Sequence, residues 1–413
     1  MMPQSMFVNR TFELDFLRQR YESGRAELIV VYGRRRVGKT RLLQEFVKDK
    51  KHIYLIADVS ENILDSFSRV VSRQYRFVRF DNWDDFFEFL SAVDERVVVV
   101  LDEFQYLYKV DKAFPTILQR WWEVLRNSKI MMILCGSTIS TIYKISLGYG
   151  SALYGRKTAE LEVKPLKFAD IKEFFPNYSA RELVEVYAVL GGVPRYLEEF
   201  EDTDIMTNIK NKILSRTSFL YNEPMNLLFE EFKDYSRYFA ILNAIAEGAT
   251  RFGEISDKSR VPQNKLPKYL MTLEQIGIIK RTIPVTEKKS RRAIYRIADN
   301  FYRFWFRYVY PNRSFLEMNE IDYVLDLIKD QFNAFVGQAF EDVAAEFLVS
   351  RLRCPVGRWW YKDVEIDLVG LGKETYFFEV KWKDLSYGEA ARILRELEEK
   401  PKKLELAGKR NMD

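Results

Sequence analysis

Gly33-Arg34-Arg35-Arg36-Val37-Gly38-Lys39-Thr40 follows an all-apolar run, Leu28–Tyr32, and precedes a helix-favouring stretch, Arg41–Lys48. Every fixed position of the pattern GxxxxGK[ST] is filled. A chain that carries this segment between a strand and a helix is constrained to an α/β sheet with a phosphate-wrapping turn at its carboxyl edge. The glycines let successive backbone N–H groups approach an anion, and the positive end of the following helix points at it. Residues Gly33 to Thr40, with Arg41 beginning the helix, therefore form the expected phosphate cradle. Lys39 is placed on the β- and γ-phosphates and Thr40 on Mg²⁺.

A second element supplies the acids that such a loop needs. Val97–Leu101 is apolar throughout and ends in Asp102-Glu103. Asp102 is the candidate for the Mg²⁺ shell, acting through water because Mg²⁺ sheds its waters reluctantly. Glu103 is the candidate to orient or deprotonate an attacking water. The next apolar run, Ile130–Cys135, leads into Gly136-Ser137-Thr138, which offers Ser137 to the γ-phosphate or the water. Arg156 is a candidate to stabilise charge on the transferring phosphate, in cis or from a neighbouring subunit of a homo-oligomer. Together these residues predict ATP and Mg²⁺ as ligands.

Composition closes other routes. His52 is the sole histidine and Cys135 and Cys354 are the two cysteines, so Cys/His zinc sites, Ser-His-Asp triads and a disulfide framework are excluded. Catalysis must use carboxylates, lysines, hydroxyls and oxygen-held metal ions. The apolar runs fall well short of the ~20 residues of a membrane span. With no basic-then-apolar leader visible, a cytoplasmic protein without membrane contact is expected. A formal charge of +5 over 413 residues permits an anionic partner without requiring one.

Short apolar strands at 28–32, 53–57, 97–101, 130–135 and 159–163 alternate with helical stretches, which predicts a parallel sheet covered on both faces. The expected organisation is an ATPase core over residues 1–165, a helical lid over 166–232, a winged helix over 233–310 and a nuclease-like domain over 311–413. In the third segment, helices at 238–247, 252–258 and 264–276 precede a hairpin. Asn264, Lys265 and Lys268 then face DNA from the third helix, and Lys288, Lys289, Arg291 and Arg292 form a basic wing. In the last segment a helix over 322–352 carries Glu341, a candidate to complete a metal shell. Strands at 365–369 and 376–382 carry Asp367, Glu379 and Lys381, two carboxylates and a lysine suited to metal-assisted phosphodiester hydrolysis. The Glu-x-Lys triplet also occurs at 162–164, 231–233, 287–289 and 398–400, so only the ordered set carries the idea.

The chain resembles the archaeal ATPases of the DEXX-box kind, related to AAA+ and STAND proteins. The resemblance rests on residues 7–14, the glycine loop, Leu101-Asp102-Glu103-Phe104-Gln105-Tyr106, Cys135-Gly136-Ser137-Thr138 and Gly191-Gly192-Val193-Pro194-Arg195-Tyr196-Leu197. It implies that Asn9, Arg10 and Pro194 flank the adenine and ribose. It also implies a C-terminal domain similar to the PD-(D/E)xK, restriction-endonuclease-like fold. The function expected is Mg²⁺-dependent ATP hydrolysis on DNA, with metal-dependent cleavage by the last domain. The alternative is a STAND-like ATP switch whose C-terminal modules bind proteins.

Overall fold

A computed structural model describes residues 7–409 except 77, 233 and 291, with side chains as far as Pro401. Two compact units result, one running through Leu166 and including Val193–Arg195, the other comprising Lys167–Gly192 and the chain from Tyr196. The first break lies at the end of the expected ATPase core. The helical stretch after it belongs mainly to the second unit, where its long helix packs on later ones.

In the first unit, β1 (Glu27–Tyr32), β2 (His52–Ile56), β3 (Val97–Asp102), β4 (Ile130–Gly136) and β5 (Ala159–Glu162) form one parallel sheet in the order β2-β3-β4-β1-β5. Helices α1 (Thr11–Glu22), α2 (Lys39–Val47), α3 (Ile63–Val71), α4 (Trp83–Ser91), α5 (Gln105–Val110), α6 (Phe114–Leu125) and α7 (Ile139–Ile142) accompany it. Strand alternation sends side chains to two opposite cores. Leu28, Val30, Val97, Val99, Leu101 and Met132 pack with Phe67, Phe86 and Leu118 of α3, α4 and α6. Ile29, Val31, Val98, Val100 and Ile133 pack with Leu14 and Leu17 of α1 and Leu42 and Phe46 of α2. Every residue of β3 is buried, and each Val or Leu contributes roughly 1.5–3 kcal/mol. That anchorage fixes where Asp102 emerges.

The second unit begins with α8 (Ala180–Leu190), α9 (Pro194–Leu197, whose first two residues lie with the first unit), α10 (Ile205–Asn208) and α11 (Phe219–Glu231). Three helices follow, α12 (Tyr235–Ala246), α13 (Phe252–Ser259) and α14 (Leu266–Gln275), and then the antiparallel hairpin β6 (Ile279–Thr282) and β7 (Ile294–Ile297). After α15 (Asn300–Phe304), α16 (Arg313–Glu317) and the long α17 (Ile321–Leu352), strands β8 (Val356–Tyr361), β9 (Val364–Leu371) and β10 (Thr375–Phe378) make an antiparallel sheet. The chain then enters α18 (Tyr387–Lys409). Helix α8 lies against α15 and α17. No described helix is long and apolar enough to cross a membrane.

Two expectations change here. The strand expected over 376–382 stops at Phe378, and Glu379–Lys381 lie beyond it. The reason is a tertiary contact: the Val380 N–H donates to Asp367 Oδ2 at 2.8 Å, so it is not available to a ladder carbonyl. Strand β8, with Trp359 buried in the core of this sheet, has no counterpart among the expected strands.

Candidate active site

The order β3-β4-β1 inserts the strand leading to Ser137 between the glycine loop after β1 and the acids after β3. All three emerge at the carboxyl edge of one parallel sheet, so residues far apart in sequence converge.

The loop is locked by its own backbone needs. A Cβ built on Gly33 would lie 2.2 Å from the Val163 carbonyl oxygen, and Gly38 holds φ +89° at the entry to α2. Helix α2 has no side-chain cap and no acidic residue in its first turn, which leaves its leading N–H groups for an anion. Buried Lys39 donates from Nζ to the carbonyls of Gly33 and Arg34, each at 2.9 Å, using two of its three protons. Burial lowers its pKa, with Glu103 and Asp102 among the groups that oppose the shift. Val37 is buried in the core, whereas Arg36 and Arg41 are exposed. Arg35 Nη2 donates to Tyr106 OH at 3.3 Å.

Asp102 is 2 % exposed, a costly place for a carboxylate unless it is hydrogen-bonded. Its Oδ2 accepts from Thr40 Oγ1 at 2.8 Å and Tyr54 OH at 2.7 Å, and its Oδ1 from the Glu103 N–H at 2.9 Å. Burial, reinforced by Asp102, pushes the Tyr54 phenol far above its ordinary pKa, so it stays a donor. Glu103 adopts φ +54°, a left-handed conformation that costs a non-glycine residue about 1–2 kcal/mol and is typical of functional positions. Its Oε2 accepts from Ser137 Oγ at 2.8 Å and from Gln105 Nε2. Gln105 is fully buried and its amide also reaches Ser137 Oγ at 3.4 Å.

The structure thus brings together Gly33–Thr40, Asp102, Glu103 and Ser137. Tyr54 and Gln105 join them without having been singled out in the sequence. The signal for Tyr54 was its place as a lone phenol among the apolar residues Ile53, Leu55 and Ile56 of β2. Gln105 stood two residues past Glu103, at the start of a helix whose next positions are aromatic or apolar.

Other candidates sit differently. Arg10 is buried; its Nη2 donates to the Val37 carbonyl at 2.8 Å and its Nη1 pairs with Glu13 at 2.9 Å, so it braces the loop. Exposed Asn9 caps the start of α1 through the Thr11 N–H at 3.3 Å. Pro194 opens α9 and groups with the first unit. Arg156 requires a correction. The Thr158 N–H donates to the Leu28 carbonyl, so Arg156 lies at the amino edge of the sheet, where it lines a cavity with Glu123 and Arg126. About five residues of β1 separate that edge from Gly33, roughly 16 Å, which removes a role for Arg156 in cis.

In the second unit, Lys381 Nζ bridges Asp367 Oδ2 at 3.3 Å and Glu379 Oε1 at 2.7 Å, and Lys400 takes Glu379 Oε2 at 2.8 Å. Glu341 does not complete this group, because its carboxylate is engaged by Arg358. Among the described residues no three of His, Cys, Asp and Glu form a metal cage. On the hairpin, Lys288 and Lys289 are exposed, but Arg292 donates to the Trp360 carbonyl at 2.8 Å and pairs with Glu287. That ties Arg292 to β8 and withdraws it from a free basic tip. Arg291 lies outside the described residues. Asn264, Lys265 and Lys268 are exposed at the start of α14.

Residues 7–200 match a family described as an ATPase domain predominantly from Archaea, and residues 305–393 match a family of archaeal and bacterial proteins of unknown function. An uncharacterized protein of Methanocaldococcus jannaschii is 38% identical over 412 residues, covering 96% of this chain and 92% of its own length. The chain belongs to the same family as this full-length relative, with the archaeal ATPase domain at residues 7–200. A shorter ATP-binding protein of the same organism is 54% identical over 46 residues, 11% of this chain and 78% of that protein. Among solved structures, the Walker-type ATPase of Pyrococcus abyssi aligns over 74% of this chain and 98% of its own, with TM-score 0.53 and 22% identity. This family member therefore shares the P-loop ATPase fold.

Proposed function

We propose that this family member is a Mg²⁺-dependent ATPase that acts on DNA. The observation that carries the reading is Glu103, whose carboxylate is fixed by Ser137 and Gln105 at the same sheet edge as Lys39, Thr40 and Asp102. The Thr40 hydroxyl and the Asp102 carboxylate are hard oxygen donors in contact at 2.8 Å, which fits Mg²⁺. That ion is ordinarily bound by one or two protein groups plus phosphates and water, so no three-acid cage is needed. Bound there, it neutralises charge on the phosphates.

The chain's own groups do the rest. Lys39 and the N–H groups of Gly33–Thr40 hold the β- and γ-phosphates. Glu103 aligns the attacking water and accepts its proton, and Ser137 with Gln105 positions that carboxylate. Ser137 thus acts through Glu103. Tyr54 keeps Asp102 oriented. Arg10 supports the loop, while Asn9 and Pro194 are left to the nucleoside side. Arg156 reaches a phosphate only from a neighbouring copy.

The DNA part rests on the helix-helix-helix-hairpin order of α12–α14 and β6–β7, which supports a winged helix over 233–310. Exposed Lys265 and Lys268 at the start of α14, with Lys288 and Lys289 on the hairpin, supply its cations. Each phosphate contact adds roughly 0.9 to the log–log salt slope of binding. The Lys265→Ala/Lys268→Ala double variant should lower that slope by roughly 1.8 for duplex DNA, measured by fluorescence anisotropy across a salt series. An unchanged slope would place DNA elsewhere. Duplex DNA should also raise ATP turnover; unchanged turnover with nucleotide-driven oligomerisation would favour the STAND-like switch.

A second reading, metal-dependent DNA cleavage, is favoured by the convergence of Asp367, Glu379 and Lys381 in the order α17-β8-β9-β10-α18. This order supports a PD-(D/E)xK-like domain over 311–413. Asp367 and Glu379 are the oxygen donors for a divalent ion, and Lys381, bridging both, is placed to hold a water or phosphate oxygen. Cleavage of single-stranded, duplex or branched DNA with Mg²⁺ or Mn²⁺ should vanish in Asp367→Ala. An equal cleavage rate in that variant would remove this reading.

A further inference from the structure

Within the second unit, the end of α12, the strands β6 and β7, α15 and α17 enclose a cavity of about 400 Å³. Its size is that of a small-ligand site. The cations on its wall are Lys280, Arg296, Arg303 and Arg307; the acids are Glu247 and Asp342. Both acids are committed, Glu247 to Lys258 at 2.9 Å and Asp342 to Lys280 at 2.6 Å. Arg307 Nη2 donates to Gln331 at 3.0 Å.

Two guanidinium groups are left. Arg303 Nε and Nη2 are shut off from solvent and meet no acceptor among the described residues; its cation sits 4.5 Å over the Phe335 ring. Arg296 is partly buried, opposite Lys280 on the hairpin, a like-charge pairing that is unfavourable by itself. Burial lowers the pKa of both, that of Arg303 to about 10, while Asp342 and Glu341 oppose the shift in each. A buried guanidinium without an acceptor is expensive; Arg303 is in that position, and Arg296 lines the same cavity from its partly buried place beside Lys280. Planar, multi-donor guanidinium groups match the oxygens of a phosphate, and Tyr295, Thr250 and Gln338 add further polar groups to the same wall.

We propose that this cavity is a second anion site, distinct from the glycine loop, which takes the phosphate group of a small phosphorylated ligand through Arg296 and Arg303. Elements of the α12–α14 and hairpin segment form one side of it and α17 the other, so a bound phosphate bridges the expected DNA-reading segment and the helix that precedes the β8–β10 sheet.

The test is calorimetric titration of the full chain with inorganic phosphate and with ribose 5-phosphate. It uses the wild type, Lys39→Ala, Arg303→Gln and Arg296→Gln. Lys39→Ala removes the glycine-loop contribution and should retain saturable binding. Losing a charge-assisted hydrogen bond should weaken that binding roughly tenfold to a hundredfold in either arginine variant made in the Lys39→Ala background. Arg296→Gln serves as the check should Arg303→Gln fail to fold. Tighter binding of ribose 5-phosphate than of phosphate, undisturbed by duplex DNA, identifies a small molecule as the source. Competition by duplex DNA that depends on Arg296 or Arg303 identifies a nucleic-acid phosphate instead. Absence of binding in Lys39→Ala, or an affinity unchanged from the Lys39→Ala parent in both arginine variants, overturns the site.

Discussion

Replacing Glu103 with Gln lowers ATP turnover by about 10²–10⁴-fold, the range expected when a positioned acid–base group is lost, while ATP binding persists. The substitution keeps the shape of the side chain and its ability to accept from Ser137 Oγ, so the turn at φ +54° and the neighbouring Asp102 network should survive. Only the negative charge and its basicity are removed. Phosphate release under saturating Mg·ATP measures the loss, and equilibrium binding of a fluorescent ATP analogue measures retention. Wild-type turnover in Glu103→Gln would take the proton-accepting role away from this residue. Loss of binding together with turnover would mean that the substitution had disturbed the loop itself.

Gly33→Ala should be nearly as damaging by a different route. The added methyl would lie 2.2 Å from the Val163 carbonyl oxygen, closer than van der Waals contact permits, and the obstacle is backbone, not a pliable side chain. Val163 cannot easily retreat, because its N–H donates to the Tyr32 carbonyl at 2.7 Å and its side chain is buried. The loop must therefore move. Overpacking of this kind costs about 1–3 kcal/mol, roughly 2–12 °C in Tm for a unit of this size. A displacement near 1 Å at a phosphate cradle is worth on the order of 10²-fold in productive binding. Differential scanning fluorimetry with and without Mg·ATP reads both. An unchanged Tm and an undiminished ATP-induced shift would show that the close approach at Gly33 is not a constraint.

The sheet of the first unit was legible because its central strands β1, β3 and β4 are buried on both faces, and unbroken runs such as Val97–Leu101 have few other readings. The loop and the two acids were legible for the same reason, since a motif at the end of such a strand has one place to go. Side chains that complete the site from a neighbouring strand or helix were not. Tyr54 belongs to no motif, and its bond to Asp102 depends on β2 pairing with β3. Arg156 was misplaced although the information was present: a residue just before a parallel strand lies on the edge opposite the residues that follow β1. The extent of β10 was overread because Tyr376–Trp382 keeps a strand-like alternation. What ends it is a tertiary contact, Asp367 taking the Val380 N–H. Strand β8 was missed because Trp359-Trp360-Tyr361 shows no alternation. The free basic tip expected of the hairpin lost Arg292 to β8 by a contact 68 residues away in sequence.

The most direct test of the central claim is single-turnover hydrolysis of radiolabelled ATP by the wild-type chain, with Mg²⁺ and then with the metal chelated. The account predicts phosphate release that requires the metal, returns when Mg²⁺ is restored and is absent from Glu103→Gln on the same timescale. Bound ATP that stays intact in the presence of Mg²⁺, with or without DNA, would contradict it.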